Sequence, residues 1–74
     1  MAVDWKEYMT SDPEMLRGKP RLRGTRIPAS LILGDLAAGK TVEDIAAEFP
    51  DLTREPIAAC VDYARDLAEF EVTA

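Results

Sequence analysis

The stretch TVEDIAAEFPDLTREPIAACVDYARDLAEF, residues 41–70, decides the fold of this chain. Apolar residues at positions 42, 45, 46 and 49 recur with the period of one helix face, and Pro50 ends that helix. Thr41 suits its N-terminus, because a threonine oxygen accepts hydrogen bonds from free N–H groups of the first turn. After Thr53, which suits a second cap, a longer apolar series keeps helical spacing: Ile57, Cys60, Val61, Ala64, Leu67 and Ala68. Two helices joined by so short a connection predict a helix-turn-helix.

The connection departs from the commonest helix-turn-helix spacing. Pro50 stands where a glycine usually follows the first helix, and Leu52 and Ile57 come later than expected. The alternative interpretation is therefore two helices of an ordinary bundle, packed through their apolar faces.

A third helix is predicted upstream. Pro28 fits its first position, where the missing N–H costs nothing, and Gly39 fits a left-handed cap after it. Its predicted apolar face consists of Leu31, Ile32 and Leu36, with Leu33 as a further candidate. Gly34 lies inside the helix, where it costs up to about 1 kcal/mol relative to alanine and permits another backbone to pack closely.

The N-terminal third favours extended structure. Residues 5–10 suit a short strand, and a turn follows at Asp12-Pro13 with Met15 and Leu16 as apolar anchors behind it. Residues 21–27 predict a hairpin or a strand with a bend at Gly24.

The sequence thus predicts one mainly α-helical domain over residues 1–74. It is a three-helix helix-turn-helix domain with short N-terminal β-strands or a hairpin, winged-helix-like in outline. The β-rich segment spans 5–27, and the helices span about 28–38, 42–49 and 54–69. A chain of 74 residues buries only roughly 60% of the surface that its unfolded form exposes, so we expect a homodimer.

Charge is divided unevenly along the chain. Residues 1–16 contain four acidic residues and one lysine, and residues 27–74 contain ten acidic and three basic residues. The basic segment (residues 17–26) contains five cations and no acid: Arg17, Lys19, Arg21, Arg23 and Arg26. Such a cluster marks an interaction surface, unless the arginines pair with the chain's own carboxylates or those of a dimer mate.

The composition argues against an enzyme. There is no histidine to act as a base, and Cys60, the only cysteine, falls on the apolar face of the last helix, where we expect it to be buried. The acidic residues Glu43, Asp44 and Glu48 fit a solvated helix face better than a metal site. A complete phosphate-loop pattern is also missing. We therefore expect no catalytic residue, metal or cofactor.

The opening residues lack a continuous apolar run, so no signal peptide is predicted. No apolar stretch approaches the roughly 20 residues that span a bilayer. We therefore expect a cytoplasmic protein without a membrane partner.

Several short motifs resemble the domain-of-unknown-function family numbered 433. They are Asp12-Pro13-Glu14, Gly18-Lys19-Pro20 and Arg23-Gly24-Thr25-Arg26-Ile27-Pro28, followed by an apolar helix and the stretch from Ile45 to Pro50. The resemblance runs from about Tyr8 to Leu67. Gly18, Lys19, Pro20, Gly24, Thr25 and Arg26 carry it, whereas Arg17 stands where many relatives have another glycine.

The resemblance implies a compact, often dimeric helix-turn-helix domain. Members look like antitoxins of the VapB type, which are encoded beside PIN-like ribonuclease toxins. By this analogy the chain is a transcriptional autoregulator that binds double-stranded operator DNA and also neutralises such a toxin.

Two binding hypotheses follow from the sequence. In the first, six cations contact DNA or phosphate: Lys19, Arg21, Arg23, Arg26, Arg54 and Arg65. The predicted outward face of the last helix carries more acids than bases, which makes that helix a poor reader of DNA on its own. In the second hypothesis, the chain is a protein-interaction module or dimerising adaptor that does not touch DNA, and its arginines plug an acidic nuclease site.

Overall fold

The computed structural model describes residues 3–12 and 18–72, with side chains up to residue 69. Along the chain it contains a short 3-10 helix (Trp5–Glu7), strands β1 (Met9–Thr10) and β2 (Arg21–Leu22), and helices α1 (Ala29–Ala37), α2 (Val42–Glu48) and α3 (Arg54–Val72). The predicted fold class, mainly helical with a short N-terminal hairpin, is confirmed. The turn at Pro13, the anchors Met15 and Leu16, and Arg17 lie outside the described residues.

The predicted strand over residues 5–10 is wrong in its first half. Trp5–Glu7 is a 3-10 helix, because the side chain of Asp4 accepts a hydrogen bond from the backbone N–H of Lys6 and caps the turn. Only Met9–Thr10 forms a strand, which pairs antiparallel with β2. A local side-chain cap thus outweighed the β-propensity of Trp5 and Tyr8.

Helix α1 begins one residue later than predicted. Pro28 is extended (φ −74°, ψ 147°) and precedes the helix, and Gly39 after its end has φ +94°, the left-handed conformation that the sequence predicts. The predicted apolar face is partly wrong: Ile32 is buried, but Leu31 is 44% exposed. Gly34 is also exposed, and a Cβ there would meet nothing within 4 Å, so no backbone packs closely against it.

Helix α2 begins with the capping pair that its sequence suggests. The Thr41 hydroxyl accepts from the backbone N–H of Asp44, and the Asp44 carboxylate accepts from the backbone N–H of Thr41, both at 3.0 Å. Ile45 is fully buried, and Val42, Ala46 and Phe49 pack partly buried against the core. The predicted face of this helix is confirmed.

Helix α3 follows residues 49–53 and runs three residues past its predicted end. Its buried face is rotated from the predicted one, because Ala59 joins Ile57 and Cys60 in the core while Val61 is 51% exposed. Leu67 is 47% exposed as well. The buried residues of α3, among those whose side chains are described, come from the first half of the helix.

One hydrophobic core connects the hairpin to all three helices. Its fully or nearly fully buried members are Met9, Leu22, Ala29, Ile32, Ile45, Leu52, Ile57, Ala59 and Cys60. The order of helix, turn and helix is as predicted, with Leu52 of the connection buried in this core. In the described part of the chain, no helix is long and apolar enough to cross a membrane.

Candidate functional site

The hairpin holds the basic segment against the core. Met9 lies opposite Leu22 in the register of β1 and β2, and both side chains are buried. After β2 the chain turns at Gly24, whose φ of +76° is a conformation that residues with a Cβ rarely adopt. The turn closes when the N–H of Leu22 donates to the carbonyl of Ile27 at 2.9 Å. The motif glycine is therefore required by the backbone of this turn.

Thr25 braces the same turn with its side chain. Its hydroxyl donates to the carbonyl of Leu22 at 2.8 Å and accepts from the N–H of Ile27 at 3.0 Å. A single hydroxyl thus joins the two sides of the turn. We infer that Gly24 and Thr25 are structural members of the motif that fix the cations around them.

Gly18 and Pro20 support the start of β2. The Ser11 hydroxyl donates to the carbonyl of Gly18, and the N–H of Ala29 donates to the carbonyl of Pro20 at 3.0 Å. These two motif residues also contribute backbone carbonyls, so they anchor the basic segment between β1 and α1.

Arg21 is partly engaged inside the protein. It lies half-buried on β2, and its Nη1 donates to the carbonyl of Thr25 at 2.9 Å. Its Nε is buried, with no hydrogen-bond partner among the described residues. Arg21 therefore stabilises the turn, and much of its guanidinium is turned away from solvent.

Arg23 points outward and rests on the 3-10 helix. Its Nε donates to the carbonyl of Glu7 and its Nη2 to the carbonyl of Lys6, each at 3.2 Å. Its backbone N–H also donates to the carbonyl of Tyr8 at 2.9 Å. These acceptors are neutral, so Arg23 keeps its full positive charge on the surface.

Lys19, which precedes β2, and Arg26, which lies within this turn, are both exposed. Within residues 3–12 and 18–69, neither side chain forms an ion pair, and Arg21 and Arg23 form none either. The charges of these four described cations are therefore not compensated by an ion pair with a described carboxylate.

The two predicted contact residues on α3 are in a different situation. Arg54 pairs with Glu43 of α2 at 3.2 Å, and both side chains are about three-quarters exposed. Arg65 pairs with Asp62 at 2.8 Å, Glu69 at 2.9 Å and Asp66 at 3.4 Å. Arg54 and Arg65 are thus paired with carboxylates, whereas the described cations of the basic segment are not. Their charge is therefore less available to a partner.

The pKa values around Arg65 agree with this pairing. The hydrogen bond from Arg65 lowers the pKa of Asp62, with a further contribution from the backbone N–H of Trp5. The same hydrogen bond to Asp62, together with the charge of Glu69, raises the pKa of Arg65. Each group thus stabilises the charged form of the other.

Trp5 fastens the 3-10 helix to α3. Its backbone N–H donates to Asp62 Oδ2 at 3.2 Å, and its indole Nε1 donates to Asp66 Oδ2 at 2.6 Å. The indole also meets the ring of Tyr63 edge to face, with centroids 4.9 Å apart and planes 75° apart. The 3-10 helix that supports Arg23 is therefore held at a fixed place on α3.

Sequence reasoning missed Trp5 and Lys6 as members of this surface. The indole and the carboxylate that it contacts are 61 positions apart, and Lys6 lies in an acidic stretch of the sequence. Folding alone brings these residues together, and no local sequence motif indicates that they are neighbours.

The described part of the chain offers neither a metal-binding cluster nor an accessible thiol. Residues 3–12 and 18–69 hold no group of three or more side chains that could bind a metal ion. Cys60 is fully buried, its thiol lies 3.5 Å from the carbonyl of Pro56, and burial raises its pKa to about 11. A buried, protonated thiol is not a nucleophile, and the expectation that Cys60 lies in the core is confirmed.

Comparison with known proteins gives matches over most of the chain. The family model described as "Protein of unknown function (DUF433)" matches residues 9–64. The uncharacterized protein y4eO of Sinorhizobium fredii is 39% identical over 59 residues, which are 80% of this chain and 27% of that relative. This chain thus spans about a quarter of the relative's length. The crystal structure of a DUF433 member from Anabaena variabilis superposes with a TM-score of 0.78 at 27% identity, covering 84% of this chain and 61% of that one.

Proposed function

We propose, on the premise that this chain belongs to the DUF433 family, that it is an antitoxin-type binding module. Its basic segment binds the carboxylate-rich active site of a PIN-like ribonuclease and so neutralises it in the cytoplasm. The family description assigns no activity, so the proposal is drawn from the surface of this chain and its resemblance to VapB-type antitoxins.

One contrast between cations carries the proposal. Lys19, Arg23 and Arg26 are exposed and form no ion pair within the described residues. The ion pairs that join two described residues use cations from outside the basic segment: Lys40, Arg54 or Arg65. Lys19, Arg23 and Arg26 therefore form a cluster of positive charge, on and next to the braced turn, that is available to a partner.

The chemistry of the proposed partner fits such a cluster. Metal-dependent nucleases gather carboxylates that repel one another until cations are bound. A guanidinium binds a carboxylate through two parallel hydrogen bonds, so an arginine competes well for such a site.

Co-expression with the product of the adjacent gene, combined with an assay of RNA cleavage, tests the proposal. We expect the two proteins to co-purify and RNA cleavage to be inhibited. The double substitution Arg23→Gln/Arg26→Gln should weaken binding at least about tenfold, as expected for interfacial charges. Lys40→Gln is the matched control, because Lys40 is already paired with Glu48 and Asp35. Unchanged RNA cleavage in the presence of the wild-type chain would overturn the proposal.

A second candidate function is binding of operator DNA. It is favoured by the order of α2, turn and α3 beside a hairpin that carries exposed cations. Phosphate contact would come from the basic segment, because Arg54 and Arg65 are ion-paired and α3 exposes Glu55 and Glu69. Binding of the wild-type chain to its own upstream duplex should fall steeply with salt. Absence of binding at low salt excludes this function.

We also propose a homodimer. Leu31, Val61 and Leu67 are 44%, 51% and 47% exposed, which is a large apolar exposure for so small a domain. Light scattering at micromolar concentration should give twice the 8.2 kDa mass of the chain. A monomer under those conditions contradicts this part of the proposal.

A further inference from the structure

We propose that Lys6 completes the carboxylate-binding surface of the basic segment, and that Trp5 is the positioning residue that holds Lys6 and Arg23 together. This inference rests on the proposed function. It adds a binding residue from a part of the sequence that is otherwise acidic.

Arg23 is in contact with the 3-10 helix. The Arg23 guanidinium donates to the carbonyls of both Lys6 and Glu7, so these backbones lie within hydrogen-bond distance of its charge. Lys6 is exposed at the same place. The fold therefore places a cation from the N-terminal stretch beside the cations of the basic segment.

In the described part of the chain the ammonium group of Lys6 forms no ion pair, and it lies 5.9 Å from the centroid of the Trp5 ring. A cation over an indole face is attracted to the ring without losing its charge. Lys6 thus remains able to bind an anion while its stem is held in place.

The neighbouring carboxylates could compete with an external ligand for the ammonium group of Lys6. Lys6 lines an open cavity of about 240 Å³ together with Asp4, Asp62, Arg65 and Asp66. Asp62, however, already accepts from Arg65 at 2.8 Å, and Asp66 accepts from the Trp5 indole at 2.6 Å. Asp4 accepts from the backbone N–H of Lys6 at 3.0 Å. Because all three carboxylates have other hydrogen-bond partners, the charge of Lys6 is left for an external ligand.

Trp5 attaches the 3-10 helix to α3 through two hydrogen bonds and the edge-to-face contact with Tyr63. Removing the indole N–H removes one of these three attachments and so loosens the helix on which Arg23 rests. Trp5 thus acts on the ligand through Lys6 and Arg23, and does not need to touch it.

Fluorescence anisotropy with a labelled ten-residue polyaspartate peptide at low salt tests the role of Lys6. Lys6→Gln should weaken binding about twofold to fivefold, the scale of one exposed ion pair. Lys40→Gln, which removes the same charge from an ion-paired lysine, should leave binding unchanged. Equal behaviour of the two variants overturns the inference. So does a loss for Lys6→Gln that is seen with a DNA duplex and not with polyaspartate.

Trp5→Phe tests the positioning role. The aromatic ring is kept and the indole N–H is lost, so affinity for the peptide should fall while Asp66→Asn, whose amide oxygen still accepts, should retain it. The NMR signal of the Arg23 side-chain N–H should move towards its unfolded value in Trp5→Phe alone. An unchanged Arg23 signal and affinity in a folded Trp5→Phe overturns the role of Trp5.

The two proposals fail in different ways. If Arg23→Gln/Arg26→Gln abolishes peptide binding while Lys6→Gln does not alter it, the proposed function stands and this inference is wrong. If the wild-type chain binds no polyaspartate, both are wrong.

Discussion

The indole Nε1 of Trp5 donates a 2.6 Å hydrogen bond to Asp66 and so joins the two ends of the folded chain across 61 positions of sequence. This bond fixes the 3-10 helix, and the 3-10 helix in turn carries the carbonyls that receive Arg23. The surface that we assign to partner binding therefore depends on a contact far from the family motif.

The hydroxyl of Thr25 should matter more than its methyl group. Thr25→Val removes the donor to Leu22 and the acceptor for Ile27, so we expect the free energy of unfolding to fall by about 1–3 kcal/mol. Thr25→Ser, which keeps the hydroxyl, should lose clearly less. Urea titration of the two variants measures this difference, and equal losses would contradict the bracing role.

Two glycines should respond in opposite directions to alanine. Gly24 has φ +76°, so Gly24→Ala should cost about 1–2 kcal/mol although the space around it is open. Gly34 lies inside α1 with equally open space, so Gly34→Ala should stabilise by up to about 1 kcal/mol. Thermal unfolding of both variants provides the check. A stabilising Gly24→Ala is incompatible with this turn.

The cap of α2 should make stability depend on pH. The hydrogen bond from the backbone N–H of Thr41 lowers the pKa of Asp44 in the folded chain. A lowered pKa contributes stability above the ordinary pKa of aspartate, and this contribution is lost as the pH falls through the folded value. Asp44→Asn should therefore flatten the acid limb of the unfolding free energy below about pH 4.

The matched control for the cap is Asp51→Asn, a substitution of an exposed aspartate in the connection between α2 and α3. It should leave the acid limb steeper than Asp44→Asn does. Identical curves for the two variants would argue against the cap as the source.

The face of α3 that supports the core can be tested by truncation. Ile57 is fully buried, so Ile57→Ala should cost about 2–5 kcal/mol. Val61 is 51% exposed, so Val61→Ala should change stability by at most about 0.5 kcal/mol. Denaturant unfolding at low protein concentration separates the two positions. A large loss for Val61→Ala that does not depend on protein concentration would support the buried face predicted from the sequence.

Cys60 should be protected from alkylation in the native protein. Burial raises the pKa of its thiol to about 11 from 9.0, which reduces the thiolate at pH 8 by about a hundredfold, and access is blocked as well. Iodoacetamide labelling followed by mass spectrometry should be slow in buffer and fast in guanidinium chloride. Equal rates in the two solvents would show that the thiol is accessible.

Local sequence signals predicted most of the fold. The cap at Thr41, the apolar spacing of α2 and the left-handed turn at Gly39 all depend on residues within one or two helical turns. The motif around Gly24 likewise predicts its own bend. These features form from neighbouring residues, so the sequence alone contains enough information to place them.

The errors occurred where side chains compete over longer distances. Periodicity assigned Val61 to the core of α3, but in the folded chain Ala59 is buried and Val61 is 51% exposed. The strand expected at Trp5 became a 3-10 helix, because Asp4 caps it and α3 offers Asp62 and Asp66 as acceptors. The β-propensity of a residue does not take such hydrogen-bond partners into account.

The sequence by itself determined that the basic segment exists and that it is built on a glycine turn. Only the tertiary structure decided which cations remain available: Arg54 and Arg65 are paired with carboxylates, Arg21 is partly buried, and Lys6 joins the surface. The physical reason is that a charge near a folded surface depends on groups within a few ångströms, and folding brings those groups from distant parts of the chain.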